Sequence, residues 1–205
     1  MVCYCNKREL IYIHIPKTGG LTIEKILIKN YGFKYFKFEE GRYDFLSDEE
    51  GKDGFLRYIL KYSKESKKYD LKSFKKFTFV RNPYTRAVSA LKYLSRIYEI
   101  DLPENEILYQ KLKENVYCYN HFYLSQTDCL KDDNGELNID YIGKFENFSE
   151  DLAKILYEDL GFFQSDINRI HENMSTNEIT FDEDRLKLEI RFHMRDDFLN
   201  FNYEI

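Results

Sequence analysis

The sequence predicts an α/β fold, with a central parallel sheet of about four or five strands flanked by helices. Three observations predict it. Short runs rich in β-branched and aromatic residues, Leu10–Ile15, Phe77–Val80 and Asp140–Phe145, alternate with longer stretches of helical period. The length, 205 residues, suits a single domain over 1–205 and buries roughly 70% of the unfolded surface, enough for a core without disulfide or metal. Aromatic residues make up 17% of the chain against 3 Pro and 9 Gly, which excludes disordered and collagen-like classes.

The first strand is Leu10-Ile-Tyr-Ile-His-Ile15. Pro16-Lys-Thr-Gly-Gly20 ends it, and a helix follows from about Leu21 to Tyr31. Ile23, Ile26, Leu27 and Tyr31 share one face of that helix, and Gly32 suits its C-terminal cap. Residues 33–60 are less regular, and the seven lysines of 61–76 read as a solvated helix and turn. Phe77-Thr-Phe-Val80 is the second strand. Asn82 and Pro83 suit the N-cap and first position of a helix reaching about Glu99, with Ala87, Val88, Leu91 and Leu94 inward. Helices follow over 104–114 and around 117–127, then a turn at Asn134-Gly135 and the third strand. Ser149 is placed as the cap of a helix that ends before Gly161, and the last helix spans about Glu183 to Phe198.

Charge is uneven along the chain. Residues 1–100 hold 21 basic and 12 acidic side chains, residues 101–205 hold 10 and 24, and the net charge is −5. That balance speaks against a nucleic-acid partner and for an anionic ligand held by the first half. No apolar run reaches 18 residues, and no apolar leader follows a basic start. Neither membrane insertion nor export is therefore expected, and the chain reads as cytoplasmic. Cys3, Cys5, Cys118 and Cys129 lack zinc spacing and read as free thiols in a reducing compartment, with no metal.

Two strand ends carry the chemistry. After the first strand, Gly19 and Gly20 let backbone approach an anion at a helix N-terminus, whose N–H groups and dipole favour negative charge. Lys17 adds a charge there, and Thr18 and Thr22 add hydroxyls. This differs from Gly-x-x-x-x-Gly-Lys-Ser/Thr, because Lys17 precedes the glycines. After the second strand come Arg81 and, two helical turns on, Ser89, a fork and a hydroxyl able to grip one phosphate together. Arg86 reads as a structural ion pair or a helix-surface residue.

With Ile13-His-Ile-Pro-Lys-Thr-Gly-Gly20 and Val80-Arg-Asn-Pro-Tyr-Thr-Arg-Ala-Val-Ser89 in view, the chain resembles the sulfotransferases that use 3′-phosphoadenosine-5′-phosphosulfate (PAPS). Within them it looks most like the carbohydrate, Golgi-type group of heparan- and chondroitin-like sulfotransferases. Asp140-Tyr-Ile-Gly-Lys-Phe-Glu146 is a third match, and His121 to Gln126 a weaker one. Leu21 departs from the threonine that relatives often carry. The resemblance implies a three-layer, P-loop-like fold, PAPS as donor and adenosine 3′,5′-bisphosphate (PAP) as product. The acceptor would be a hydroxyl, on a carbohydrate. It gives Lys17, Thr18, Gly19, Gly20 and Thr22 the 5′-phosphosulfate, and Arg81 and Ser89 the 3′-phosphate.

For catalysis, Lys17 is expected to stabilise charge on the transferring group. The general base stays open between His121, Glu39, Glu40 and Asp44. His14 reads as a packed structural residue, and His171 and His193 have no support. Glu146 either orients the nucleotide side or caps a strand end. Two other functions stay open: a nucleotide or small-molecule kinase of similar architecture, and a non-catalytic nucleotide- or glycan-binding relative.

Overall fold

The computed structural model describes residues 2–38, 46, 48–98, 105–162 and 181–205, without the side chains of 105–108 and 111. Five strands form one sheet: β1 (Val2–Cys5), β2 (Leu10–Ile13), β3 (Lys34–Tyr35), β4 (Lys75–Val80) and β5 (Tyr141–Lys144). Their order is β3-β1-β2-β4-β5. The three strands expected from sequence are β2, β4 and β5, and they are parallel, in register from Leu10 with Lys75 and Phe77 with Tyr141. The sheet is mixed rather than wholly parallel, because β1 runs antiparallel to both β2 and β3.

Nine α-helices are described: α1 (Gly20–Tyr31), α2 (Phe55–Tyr62), α3 (Pro83–Tyr98), α4 (Asn105–Glu114), α5 (Val116–Phe122), α6 (Gln126–Leu130), α7 (Phe148–Ala153), α8 (Glu183–His193) and α9 (Arg195–Asn200). Side-chain alternation along the strands separates two cores. Ile11, Ile13 and Val80 face α2 and α6, with Phe55, Ile59 and Leu130. Leu10, Tyr12, Phe77 and Phe79 face α1 and α7, with Ile23, Leu27 and Leu152. Parallel strands covered on both faces need this double burial. Each fully buried Phe or Ile contributes roughly 1.5–3 kcal/mol. A third core holds no strand residue. It packs α3 against α5, α8 and α9 through Ala90, Leu94, Phe122, Ile190 and Phe198.

Several local expectations hold. Asn82 caps α3, its Oδ1 accepting from the N–H groups of Tyr84 (3.0 Å) and Thr85 (3.3 Å). Gly32 closes α1 at φ 72°. The turn at Gly135 joins a small antiparallel bridge between Lys131 and Leu137. All four cysteines are free and buried.

Others are corrected. Ser149 lies inside α7 and gives it no side-chain cap, because the helix already starts at Phe148. It continues as a π-helical turn over Lys154–Asp159 and stops before Gly161. The last helix is two helices, broken at the buried Met194. The helix near the lysines is α2, which ends at Tyr62; turns follow, and Lys76 is buried in β4. Its Nζ donates to the Phe74 (2.7 Å) and Lys72 (3.0 Å) carbonyls. Arg86 is neither on a surface nor ion-paired through its hydrogen bonds: it is fully buried and donates to backbone carbonyls.

Candidate active site

The parallel strands end along one edge of the sheet, β2 at Ile13 opposite Thr78 and β4 at Val80 opposite Lys144 of β5. In open α/β sheets ligands bind beyond these carboxyl ends. Here the three following loops border a cleft of about 880 Å³.

The loop from Ile15 to Gly20 has three successive carbonyls occupied. The Thr18 hydroxyl donates to Ile15 O (2.8 Å), Arg86 Nε to Pro16 O (3.2 Å) and an Arg81 guanidinium nitrogen to Lys17 O (3.3 Å). These bonds support a turn in which Lys17 has φ 71° and Gly19 φ 82°. A left-handed lysine costs about 1–2 kcal/mol, so the arginines on either side have work to do. The N–H groups are left over. Among the described residues, those of Thr18, Gly19, Gly20 and Leu21 make no hydrogen bond, and the first to pair is Thr22 N–H to Gly19 O (3.1 Å). Bare N–H groups at the head of α1, beside an ammonium, form a cradle for an anion.

The glycines are sterically required. A Cβ on Gly20 would run into the His14 imidazole, and one on Gly19 would press on the Phe148 and Phe145 rings. His14 is packed as expected, its Nδ1 2.9 Å from Glu24 Oε1. Burial pushes it down to about 4, so it stays neutral.

Arg81 begins α3's approach. Its Nε donates to Thr85 (3.0 Å), and its guanidinium lies 4.2 Å over the Phe145 ring. Its backbone is held by the Gln126 side chain, which accepts from Arg81 N–H (2.8 Å) and donates to Arg81 O (2.8 Å). Gln126 is in turn held by the buried Asp197, which also accepts from the Gln126 (2.9 Å) and Thr127 (2.7 Å) N–H groups. Ser89 lines the same cleft two turns along α3, and its hydroxyl has no partner among the described residues.

The fourth side of the cleft holds Tyr93, Tyr117 and His121. His121 Nδ1 lies 2.8 Å from Tyr117 O, so this nitrogen carries the proton and Nε2 keeps its lone pair. Burial, with the nearby Lys17 and Arg86 charges, pushes His121 down to about 4. Lys17 is pushed down to about 8, first by burial and then by Arg81 and Arg96.

The structure therefore brings together Lys17, Gly19, Gly20, Thr22, Arg81, Ser89 and His121 on one cleft. Thr18 belongs to the loop, but its hydroxyl is turned inward to Ile15. Glu146 accepts from Asn82 N–H (2.7 Å) and the Tyr203 hydroxyl (2.9 Å), tying the chain's end to the start of α3. His193 sits beside Glu189 on α8 (3.5 Å). Glu39, Glu40, Asp44 and His171 lie outside the described residues. Sequence reasoning gave no part to Tyr93, Gln126 or Asp197. For Gln126 the signal was its place in the His121-to-Gln126 match.

Unpaired N–H groups and an ammonium facing an arginine and a free hydroxyl, at the carboxyl edge of parallel strands, define a protein that holds a phosphorylated or sulfated ligand. The sequence narrows that class. Residues 1–204 match the model of the Sulfotransferase family, so the chain belongs to that family. Membership makes it a PAPS-dependent sulfotransferase acting on a hydroxyl acceptor, and the kinase alternative falls. No curated protein and no solved structure matches the chain. Among the described residues, no helix is long and apolar enough to cross a membrane.

Proposed function

We propose that this sulfotransferase acts on a carbohydrate hydroxyl, with the donor lying between the Lys17–Thr22 loop and the Arg81–Ser89 pair. One observation carries the donor placement: the two anion-binding groups border a single cleft, and among the described residues their donors have no protein partner at Thr18–Leu21 N–H and Ser89 Oγ. The residues fit the group, since a cradle without Cβ atoms and a separate fork suit a nucleotide with phosphates at both ends.

When bound, PAPS supplies the sulfuryl group and a bisphosphate leaving group. The loop N–H groups and Lys17 bind and orient the 5′ end, and Arg81 and Ser89 hold the 3′-phosphate. Lys17 meets the negative charge that develops at the bridging oxygen during in-line displacement. His121 Nε2, unprotonated at neutral pH, takes the acceptor hydroxyl's proton. Aromatic walls at Tyr117 and Phe181 support the carbohydrate reading, because sugar faces pack on rings. The four buried free thiols support a reducing, cytoplasmic setting.

Calorimetric titration with adenosine 3′,5′-bisphosphate, with ATP–Mg²⁺ as control, tests the donor site. Micromolar binding of the bisphosphate alone is expected. Turnover with PAPS against oligosaccharides and small phenols then tests the acceptor. Sulfation of phenols alone removes the carbohydrate assignment. Bisphosphate binding without any turnover returns the non-catalytic reading.

A further inference from the structure

Lys17 leaves the loop from a left-handed backbone and reaches α3. Its Nζ stands 4.3 Å from the centre of the Tyr93 ring. Among the described residues, no carboxylate pairs with this ammonium. The ring is itself fixed. The Tyr93 hydroxyl bonds the Tyr117 hydroxyl (2.8 Å), and the His121 imidazole stacks against the ring at 5.4 Å and 23°. Tyr117 packs on His121 at 4.1 Å and is bonded to it through its carbonyl. Tyr93 thus links the ammonium on one strand loop to the imidazole on α5.

We propose that Tyr93 is a positioning residue for sulfuryl transfer, its ring face holding the Lys17 ammonium over the loop. The inference rests on the reading of Lys17 as the group that meets developing charge. A long lysine side chain has much rotamer freedom, and something must fix it. A carboxylate would do so, but it would neutralise the ammonium and repel the anionic donor. An aromatic face holds a cation by its quadrupole and adds no net charge. The cation stays available to the donor, and its partial burial leaves its field less screened than in open water.

Three variants and one spectrum test this. Tyr93→Leu should lower kcat roughly tenfold, the size of a partly desolvated cation–π contact. Its affinity for adenosine 3′,5′-bisphosphate should stay within about twofold, because that ligand lacks the transferring group. Tyr93→Phe keeps the ring and should keep kcat, although it loses the Tyr117 hydroxyl bond. The Lys17 Hε protons, read by NMR on lysine-labelled protein, should be shifted upfield by the ring in wild type and in Tyr93→Phe, and not in Tyr93→Leu. Lys17→Ala is the control for the underlying reading: near-normal turnover there removes the role of Lys17 and this proposal with it. An inactive Lys17→Ala beside a Tyr93→Leu of wild-type kcat overturns the proposal alone. So does a Tyr93→Leu loss matched by an equal loss of bisphosphate affinity. If Tyr93→Leu does not fold, the absence of the upfield shift in wild type overturns it.

Discussion

Arg86 Nε lies 3.2 Å from the carbonyl oxygen of Pro16. A charge buried in α3 therefore anchors the loop after β2. Its other nitrogens reach Leu124 O (2.9 Å), His121 O (3.5 Å) and Met194 Sδ (3.5 Å). One side chain thus joins the loop, the α5–α6 turn and the break between α8 and α9. Burial pulls its pKa down and the neighbouring Asp197 pushes back, but a guanidinium remains charged at any ordinary pH.

Replacing Arg86 with Met should test that anchor. The Pro16 and Leu124 carbonyls would lose their donors, at about 1–3 kcal/mol each. For a chain of this size a loss of about 3 kcal/mol corresponds to a Tm lower by about 6–12 °C. The loop should also loosen, so affinity for adenosine 3′,5′-bisphosphate should fall beyond what Tm predicts. Unchanged affinity in a folded Arg86→Met would show that the loop holds its shape without the anchor.

The proposed placement of the 3′-phosphate makes Arg81 separate two ligands that differ by one phosphate. Arg81→Ala should weaken adenosine 3′,5′-bisphosphate by about 10–100-fold, the worth of charge-assisted hydrogen bonds. AMP should lose far less, since it carries no 3′-phosphate for the guanidinium to grip and feels only the loss of the Arg81 contacts to the protein, among them those to Lys17 O and Thr85. Equal losses in parallel titrations would place the 3′-phosphate elsewhere.

Gly20 and Gly32 make a controlled pair. A Cβ at Gly20 collides with the His14 ring, whereas one at Gly32 meets nothing within 4 Å. Gly32→Ala carries only the strain of φ 72°, about 1 kcal/mol. Gly20→Ala carries no left-handed strain but brings overpacking against His14 of about 1–3 kcal/mol at the mouth of the proposed anion cradle. Both should melt earlier, but only Gly20→Ala should lose bisphosphate affinity. Normal binding by Gly20→Ala would remove the close approach from the site.

These residues also show what can be read from the chain alone. β2 and β4 were legible because each is a compact β-branched or aromatic run buried along nearly its whole length, and β5 because Tyr141 and Ile142 mark it, although it lies at the sheet edge with little of it buried. The head of α3 was legible because Asn82 and Pro83 act locally. The antiparallel β1 was not: Val2–Cys5 is four residues long, and only its pairing with β2 and β3 defines it. Nor was the break at Met194, which has neither Gly nor Pro; there a buried methionine and Asp197's bonds to α6 outweigh helix propensity. Arg86 looked like surface because charge usually is, and its carbonyl partners lie up to 70 residues away. A similar separation hides Tyr93, one of 18 tyrosines, whose ring lies under Lys17.

The pH profile tests Lys17 and His121 together. Both titrate below their ordinary values, to about 8 and about 4, chiefly because burial disfavours their charged forms. The proposed roles need the opposite state at each: Lys17 protonated, so it can meet negative charge, and His121 unprotonated, so it can take a proton. In the free enzyme both conditions hold between about 4 and about 8, and kcat/KM, which reports the free enzyme, should be flat there. It should fall on the acid side as His121 gains its proton, and on the alkaline side as Lys17 loses one. The alkaline fall should move upward in kcat, since a bound anionic donor favours the ammonium. Lys17→Arg should abolish the alkaline limb, because a guanidinium keeps its proton throughout the range. His121→Asn should abolish the acid limb and lower the plateau by about 10²–10⁴-fold, the usual worth of a general base. An alkaline limb near 8 that survives in Lys17→Arg belongs to another group. An acid limb that survives in His121→Asn, at undiminished rate, passes the base to a different residue.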